Sequence, residues 1–455
     1  MKFKGKTQSV FNVESVISGK MESSISRWAR TYEGRPDWLA EDPDFRTINF
    51  AKSLCEETAR LVTLGIGIKI EGDARAKWLQ EQIENVYYRL RAWVEYADAY
   101  GTCILKPNGR GVDLVLPNDF IVTNAEDGAI KGIVFINREV SANQKKFYTR
   151  LEYHRYEDNG NYVITNKCYV GTARDDMDEE ISIEESPWKD LTEEVSIENT
   201  PPLYGVLRMP NANNIDIESP LGMSIFSEAM NELRDLDIAY TINNLEIEDS
   251  KKIVLLDSDR LVAGGKLSEV NGNFEAQKQL LKLPRFVKNV YGDGNSTFYQ
   301  EINPTLNTQV RLDGINALLS QIGYKVGFSN GYFVFNEASG IQTATGVESN
   351  DRRTIQFIKD IRDKLEDAIT GLVNALNTFA DLYNLAPVGK YEIHFDFGDI
   401  TYNYQEDKMT WWGYVLQGKV AFWRYLVKFE NMTEEEAKEI EAESAPKQEQ
   451  LFSEE

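Results

Sequence analysis

One unbroken helical register constrains this chain more than any other feature. Val347, Ile355, Ile358, Ile361, Leu365, Ile369, Leu372, Leu376 and Phe379 return to one face, which predicts a single long helix over 341–383. A second register precedes it in Leu306, Val310, Ile315, Leu318, Leu319 and Ile322, opened by Asn303 as a cap and Pro304 in the first turn. Between the two lies Gly327-Phe328-Ser329-Asn330-Gly331-Tyr332-Phe333-Val334-Phe335, followed by Glu337-Ala338-Ser339-Gly340. Aromatic clusters among glycines fit neither a solvated turn nor a half-buried strand. Residues 327–340 therefore read as an exposed aromatic arm, held between rigid helices and placed to touch something.

The 455 residues leave room for about three domains and a sizeable core. No run approaches the ~20 apolar residues that a membrane span needs. The basic start, Met1-Lys2-Phe3-Lys4-Gly5-Lys6, has no apolar stretch behind it and does not read as a signal peptide. Cys55, Cys103 and Cys168 are odd in number and set among apolar residues, which reads as buried free thiols. The net charge of −23 argues against a surface that grips phosphates, since such grip comes from lysine and arginine. It is compatible with a surface past which nucleic acid slides without sticking.

In chain order, residues 1–20 are polar and unpatterned and read as a flexible arm. Asp44 is placed to cap a helix over 45–64, and Asp73 a second over 73–100 that ends on Gly101. The period then changes to alternation. Asn108-Gly109, Asp127-Gly128 and Asn159-Gly160 are hairpin turns, with strands at 102–106, 112–116, 130–138, 146–156 and 162–170. Phe147, Leu151 and Tyr153 share one face there, and Arg150, Glu152 and His154 the other. Residues 102–170 thus read as an antiparallel meander with one wet face. Residues 171–200, with eleven acidic side chains against Arg174 and Lys189, read as an acidic solvated loop.

Ser219-Pro220 opens a helix expected to reach Ser250, roughly 45 Å long at 1.5 Å per residue. Its apolar stripe is Phe226, Met230, Leu233, Leu236, Tyr240 and Leu245. Its other side is acidic, with Glu228, Glu232, Asp235, Asp237, Glu246, Glu248 and Asp249 against Arg234. Residues 251–303 reverse the balance, with eight basic against six acidic residues. Strands at 253–256 and 298–302 and a short helix over 276–282 make this a small α/β insertion between two helices. After Tyr383, strands are expected at 391–396 and 399–402 and helices from Asp407 or Thr410 and over 423–429. Asn431-Met432-Thr433-Glu434-Glu435-Glu436 is a capping signature for a last helix.

Chemistry is sparse. His154 and His394 stand alone on strands and read as structural, and no spacing fits a zinc site. Gly264-Gly265-Lys266 lacks the Ser/Thr and the first glycine of a phosphate-binding loop. The expectation is no enzyme, no catalytic residue, no cofactor and no metal.

The order of these parts resembles the portal proteins of tailed double-stranded-DNA bacteriophages, in the branch from long-tailed phages of Gram-positive hosts. The most specific matches are Gln342-Thr343-Ala344-Thr345-Gly346-Val347-Glu348-Ser349, Gly101-Thr102 at the start of a strand, and Gly418-Lys419-Val420 with Trp423-Arg424-Tyr425 and Thr433-Glu434-Glu435-Glu436-Ala437. Family members commonly carry Glu where this chain has Gly346. The resemblance implies an α+β portal fold: a flexible arm (1–20), a wing (21–218), stem helices (219–250 and 304–326), a clip (251–303) and a tunnel loop (327–340). A long wing helix with strands (341–404), a helical crown (405–440) and a flexible tail (441–455) complete it. It implies a ring, usually of twelve subunits, at one capsid vertex of a virion assembled in the bacterial cytoplasm.

The same resemblance implies a channel for double-stranded DNA, entered under the terminase large subunit and later left through a head-completion or tail adaptor protein. Major capsid and scaffolding proteins are further partners, and no membrane is. Phe328, Ser329, Asn330, Tyr332, Phe333 and Phe335 would face DNA from the tunnel loop, and Glu228, Glu232, Asp235 and Glu246 would form an acidic channel wall. Lys278, Lys282, Arg285 and Lys288 would dock partners on the clip. The alternative is another ring-forming virion or head–tail connector protein that does not move DNA.

Overall fold

The computed structural model describes residues 3–109, 111–141, 145–249, 253–257, 287–290, 299–302, 307–334, 344–398, 404–430 and 432–444. They form two compact units, residues 1–63 with 67–395 and residues 64–66 with 396–455. The first unit is α+β, as its two sequence periods require.

Its N-terminal stretch is not a free arm. Helix α1 (Lys4–Phe11) lies on a sheet face, and Phe3, Val10, Phe11 and Val13 cover Leu151 and Tyr153. Lys4 pairs with Glu22 at 2.5 Å and Ile17 is buried. These apolar residues are split between a short helix and an extended segment, so no single stripe announces them. Helix α2 (Gly19–Tyr32) follows, with Ser18 capping Met21 N. Helix α3 (Phe50–Val62) begins at Asn49 rather than Asp44, because residues 41–48 run against a later helix. Strand β1 (Gly67–Gly72) leads to helices α4 (Ala74–Glu84) and α5 (Leu90–Tyr100). A 3-10 turn at Tyr87–Arg89 divides the single helix expected over 73–100. Gly101 ends α5 at φ +78, and a Cβ there would meet Gly222 O at 2.4 Å, so only glycine fits.

Strands β2 (Thr102–Pro107) and β3 (Val112–Val115) form the first hairpin, on Asn108-Gly109. Strands β4 (Phe120–Glu126) and β5 (Ala129–Val140) turn on Asp127-Gly128. Strands β6 (Phe147–Tyr156) and β7 (Tyr162–Gly171) turn on Asn159-Gly160. All three expected turns are present, with positive φ at Gly109, Gly128 and Gly160. The meander nevertheless divides. β8 (Glu179–Ile181) and β9 (Glu194–Ile197) join β7 in a sheet ordered β4-β5-β6-β7-β8, while β10 (Gly205–Arg208) pairs with β2 to give β10-β2-β3.

Two expectations are corrected here. The acidic stretch 171–200 supplies two strands and buries Ile183 and Ser186 instead of forming a solvated loop. The supposed wet face of β6 is dry, with Arg150, Glu152 and His154 all under 10% exposed. Lys106 of β2 and Trp188 from the acidic stretch reach over that face.

Helix α6 (Met230–Asp249) follows a 3-10 turn, Ser227–Ala229, and is 20 residues long, about 30 Å. The longer helix expected from Ser219 does not form. Residues 219–226 are irregular and buried, with Gly222 N donating to Thr102 Oγ1 and Ile225 N to Asp98 O. Strands β11 (Ile253–Asp257), β12 (Val287–Val290) and β13 (Tyr299–Ile302) form a sheet ordered β12-β11-β13, parallel on one side and antiparallel on the other. Two of these strands are the expected ones, and the helix expected over 276–282 lies outside the described residues.

Helix α7 (Thr308–Val326) and the 39-residue helix α8 (Ala344–Leu382) match the two registers. Ile358, Ile361, Leu365, Ile369 and Leu372 of α8 are buried, packing on β2, β10 and α3. Strand β14 (Tyr391–Asp396) pairs with β1.

The second unit contains helices α9 (Tyr404–Leu416), α10 (Phe422–Glu430) and α11 (Glu434–Ser444) around Tyr425, Leu426, Phe429 and Ala437. Thr433 and Glu436 form the expected reciprocal cap: Thr433 N donates to Glu436 Oε2 at 3.0 Å and Glu436 N to Thr433 Oγ1 at 3.4 Å. The strand expected at 399–402 lies outside the described residues.

Candidate functional site

The four candidate wall acids fall on α6 and the 3-10 turn before it, and the described arm residues in the loop after α7. Helices α6 and α7 run antiparallel, fastened at both ends by ion pairs. Lys325 Nζ lies 2.6 Å from Glu232 Oε1 and also donates to Glu228 O at 3.1 Å. At the far end Arg311 pairs with Glu246, whose Oε1 accepts Asn307 N at 3.2 Å. Of the four candidate wall acids, Glu232 and Glu246 are thus neutralised inside the chain, while Glu228 and Asp235 are exposed. Asp237, read as part of the acidic face, is buried and accepts Trp38 Nε1 at 2.9 Å and Ile48 N at 3.0 Å. Burial pushes its carboxyl up, against those two donors.

The aromatic arm is largely folded in. Phe328 is fully buried, with ring centroids of Phe333, Tyr332 and Phe357 at 4.8, 4.9 and 5.6 Å. Phe333 packs edge-on to Phe50 at 5.3 Å. Ser329 is buried and its N and Oγ meet Thr354 Oγ1 at 2.9 and 3.0 Å. Asn330 is exposed. Tyr332 is half-exposed, and its hydroxyl donates to Glu57 Oε1 at 2.5 Å. Burial and that bond raise the Tyr332 pKa, while Arg60 holds Glu57 below the usual carboxylate range. So the exposed arm expected at Phe328 and Phe333 is corrected: the three described rings gain more by packing on each other and on α3 and α8 than by facing water. Phe335 lies outside the described residues.

Of the clip cations, Lys278, Lys282 and Arg285 lie outside the described residues, and Lys288 falls on β12. A cavity of about 810 Å³ lies where α7 meets α8, lined among others by Glu228, Lys325, Arg352, Arg353, Phe357 and Asp360. Among the described residues no cluster of His, Cys, Asp or Glu is arranged to hold a metal, and no helix is long and apolar enough to cross a membrane.

Sequence reading missed two buried arginines that organise this region. Arg75, fully buried, donates to the carbonyls of Asn377, Ala386 and Pro387 and to Asn377 Oδ1, and reaches Asp381 Oδ1 at 2.6 Å. Arg362 donates to Leu61 O and Val62 O at 3.0 Å, capping the end of α3. Each interrupts an apolar stripe, Arg75 before Leu79 and Ile83, Arg362 between Ile358 and Leu365. That interruption was the available signal.

No protein-family model and no curated protein matches the chain. A solved structure described as the neck of an empty GTA particle, computed with C6 symmetry, aligns with 90% of this chain and 93% of its own. The identity is 11% and the TM-score 0.37, a superposition too loose to decide the fold or the role of this chain.

Proposed function

We propose that this chain is a portal-type subunit that closes into a ring with other copies, its α6–α7 pair forming the wall of a central channel for double-stranded DNA. The observation that carries this reading is the order of parts. An antiparallel helix pair, fastened at both ends, leads on one side to a small separate sheet and on the other to an aromatic loop and a 39-residue helix. This is the order the resemblance implies for stem, clip, tunnel loop and wing. Exposed apolar side chains on both stem helices, Ile242 and Ile247 on α6 with Val310 and Tyr324 on α7, support assembly, since a lone soluble chain gains nothing by showing them. In this reading the terminase large subunit and a tail adaptor dock in turn on the 251–303 segment, and capsid and scaffolding proteins surround the wing. Negatively stained particles and mass photometry test it. Rings with a central hole are expected, and a chain that stays monomeric at micromolar concentration overturns the reading.

One observation favours the alternative of a ring-forming connector that does not move DNA. Lys325 and Arg311 neutralise two of the four acids expected along the wall. Packaging in capsids carrying Glu228→Lys separates the two. Slowed packaging with intact rings supports a channel whose wall repels phosphates, and unchanged packaging favours the connector.

A further inference from the structure

Both stem helices carry a row of residues that the single chain leaves open. On α7, Ile315, Leu319, Ile322 and Val326, spaced four, three and four apart, are buried within the chain. A second row, Val310, Gly314, Ala317, Gln321 and Tyr324, has steps of four, three, four and three and is exposed at every position, with the Arg353 guanidinium lying over the Tyr324 ring at 3.9 Å at its end. On α6, Asn231, Asp235, Ile238, Ile242 and Leu245 repeat the same steps and are exposed or half-buried. The other sides of α6 are occupied. Arg234, Asp237 and Thr241 meet residues 41–48, and Glu232 and Glu246 meet α7. Alternating steps of four and three are those of helices packed knobs into holes.

Gly314 adds an independent sign. A Cβ built there meets nothing within 4 Å, so no group among the described residues requires a glycine. Glycine is a poor choice inside a helix, and its usual reason is close approach of another backbone or side chain. The α6 row is large over its last three positions (Ile238, Ile242, Leu245), and the α7 row is small at Gly314 and Ala317.

We infer that the α6 row of one copy seats in the α7 row of a second copy, with Ile242 packed over Gly314. The inference rests on the ring reading and adds the contact that closes it. The levels agree. Glu246 pairs with Arg311 and Glu232 with Lys325, so Ile242, four residues before Glu246, lies level with Ile315, four after Arg311 and next to Gly314. A ring made by rotation keeps every copy at one height, which brings these same levels together between neighbours. The two rows lie on different helices, so the contact is head-to-tail and closes a ring rather than a two-fold dimer.

The test begins with the mass of the unaltered chain. A persistent monomer there overturns the ring reading itself. Where rings form, Gly314→Phe is expected to retain its circular dichroism, because the position is open within the chain, and to lose ring population by about tenfold or more, as expected for a residue at the centre of an interface. Ile242→Cys combined with Gly314→Cys is expected to give a ladder of disulfide-linked multimers on oxidation. Each single variant should stay uncrosslinked, the native cysteines being buried. Intact rings in Gly314→Phe together with no ladder in the double variant overturn the seam while leaving the ring. Dimers formed by a single variant overturn its head-to-tail character.

Discussion

Lys106 and Glu152, 46 positions apart, meet at 2.6 Å with both side chains buried between two sheets. Glu152 also accepts Arg150 and Asn137 at 3.0 Å, and its other oxygen meets His154 Nε2 at 3.0 Å. Burial alone would raise the Glu152 carboxyl, but the charges of Lys106 and Arg150 outweigh it and hold the group well below its ordinary value. Glu152→Gln leaves two buried cations short of an anion. It is expected to cost about 3–5 kcal/mol in urea unfolding at pH 7. The stabilisation belongs to the ionised form, so it is present above the ordinary glutamate range near 4.5 and lost as pH falls through the depressed native value. The variant should therefore show a flatter acid-unfolding profile. Equal stability of the two proteins at pH 7 would refute the anion's role.

Asp98 presents the opposite case. It is fully buried on α5, and neither carboxylate oxygen has a hydrogen-bond partner among the described residues. Burial, and then the charge of Glu95, push its pKa well above the ordinary 3.8. The folded chain therefore keeps the proton while the unfolded chain loses it, and stability falls as pH rises from 3.8 toward the raised native value. Asp98→Asn removes that loss. It is expected to be more stable than the unaltered chain at pH 8, by about 1.4 kcal/mol for each unit by which the native pKa is raised up to that pH, and to show no gain near pH 4. Urea titrations at the two pH values decide it.

Much of the architecture was legible, and the failures share a cause. Asn108-Gly109, Asp127-Gly128 and Asn159-Gly160 marked their hairpins because positive φ at a turn is a local demand. The register of α8 was legible because one long face carries its whole burial. What local pattern could not reveal was partnership at a distance. β2 leaves the meander because β10, some hundred residues later, offers it an edge. Arg150, Glu152 and His154 alternate as a solvated face would, yet Lys106 covers them. Phe328 and Phe333 read as exposed because Phe50 and Phe357, which enclose them, lie on separate helices. Around the candidate site the helical registers of α6 and α7 were legible, whereas the pairing of Glu232 and Glu246 depended on how α7 packs.

Arg75 supports the turn that follows α8. Its guanidinium makes bonds to Asn377, Asp381, Ala386 and Pro387, and the turn displays Leu385 and Val388, 52% and 87% exposed. Lysine offers one compact ammonium and cannot match this fork. Arg75→Lys is expected to cost about 3 kcal/mol and to open residues 382–388 to limited proteolysis. An unchanged digestion pattern would mean that the turn holds without the arginine.

The loop after α7 separates two kinds of variant. Phe328 is enclosed by Tyr332, Phe333 and Phe357, and Gly327, at φ +126, lies against the Phe357 ring. Phe328→Ser is therefore expected to destabilise the whole chain by about 3–5 kcal/mol, as other large-to-small changes in a core do. It is not a clean probe of what the loop touches. Tyr332→Phe keeps the ring and removes only the hydroxyl that donates to Glu57. A hydrogen bond to a charged group is worth about 1.5–3 kcal/mol, and partial exposure of Tyr332 places the expected loss at the low end. In hydrogen exchange, Tyr332→Phe should speed exchange at residues 329–334 and leave the α3 and α8 amides unchanged. Equal speeding along α3 would show instead that the Tyr332–Glu57 contact supports the helix rather than fastening the loop.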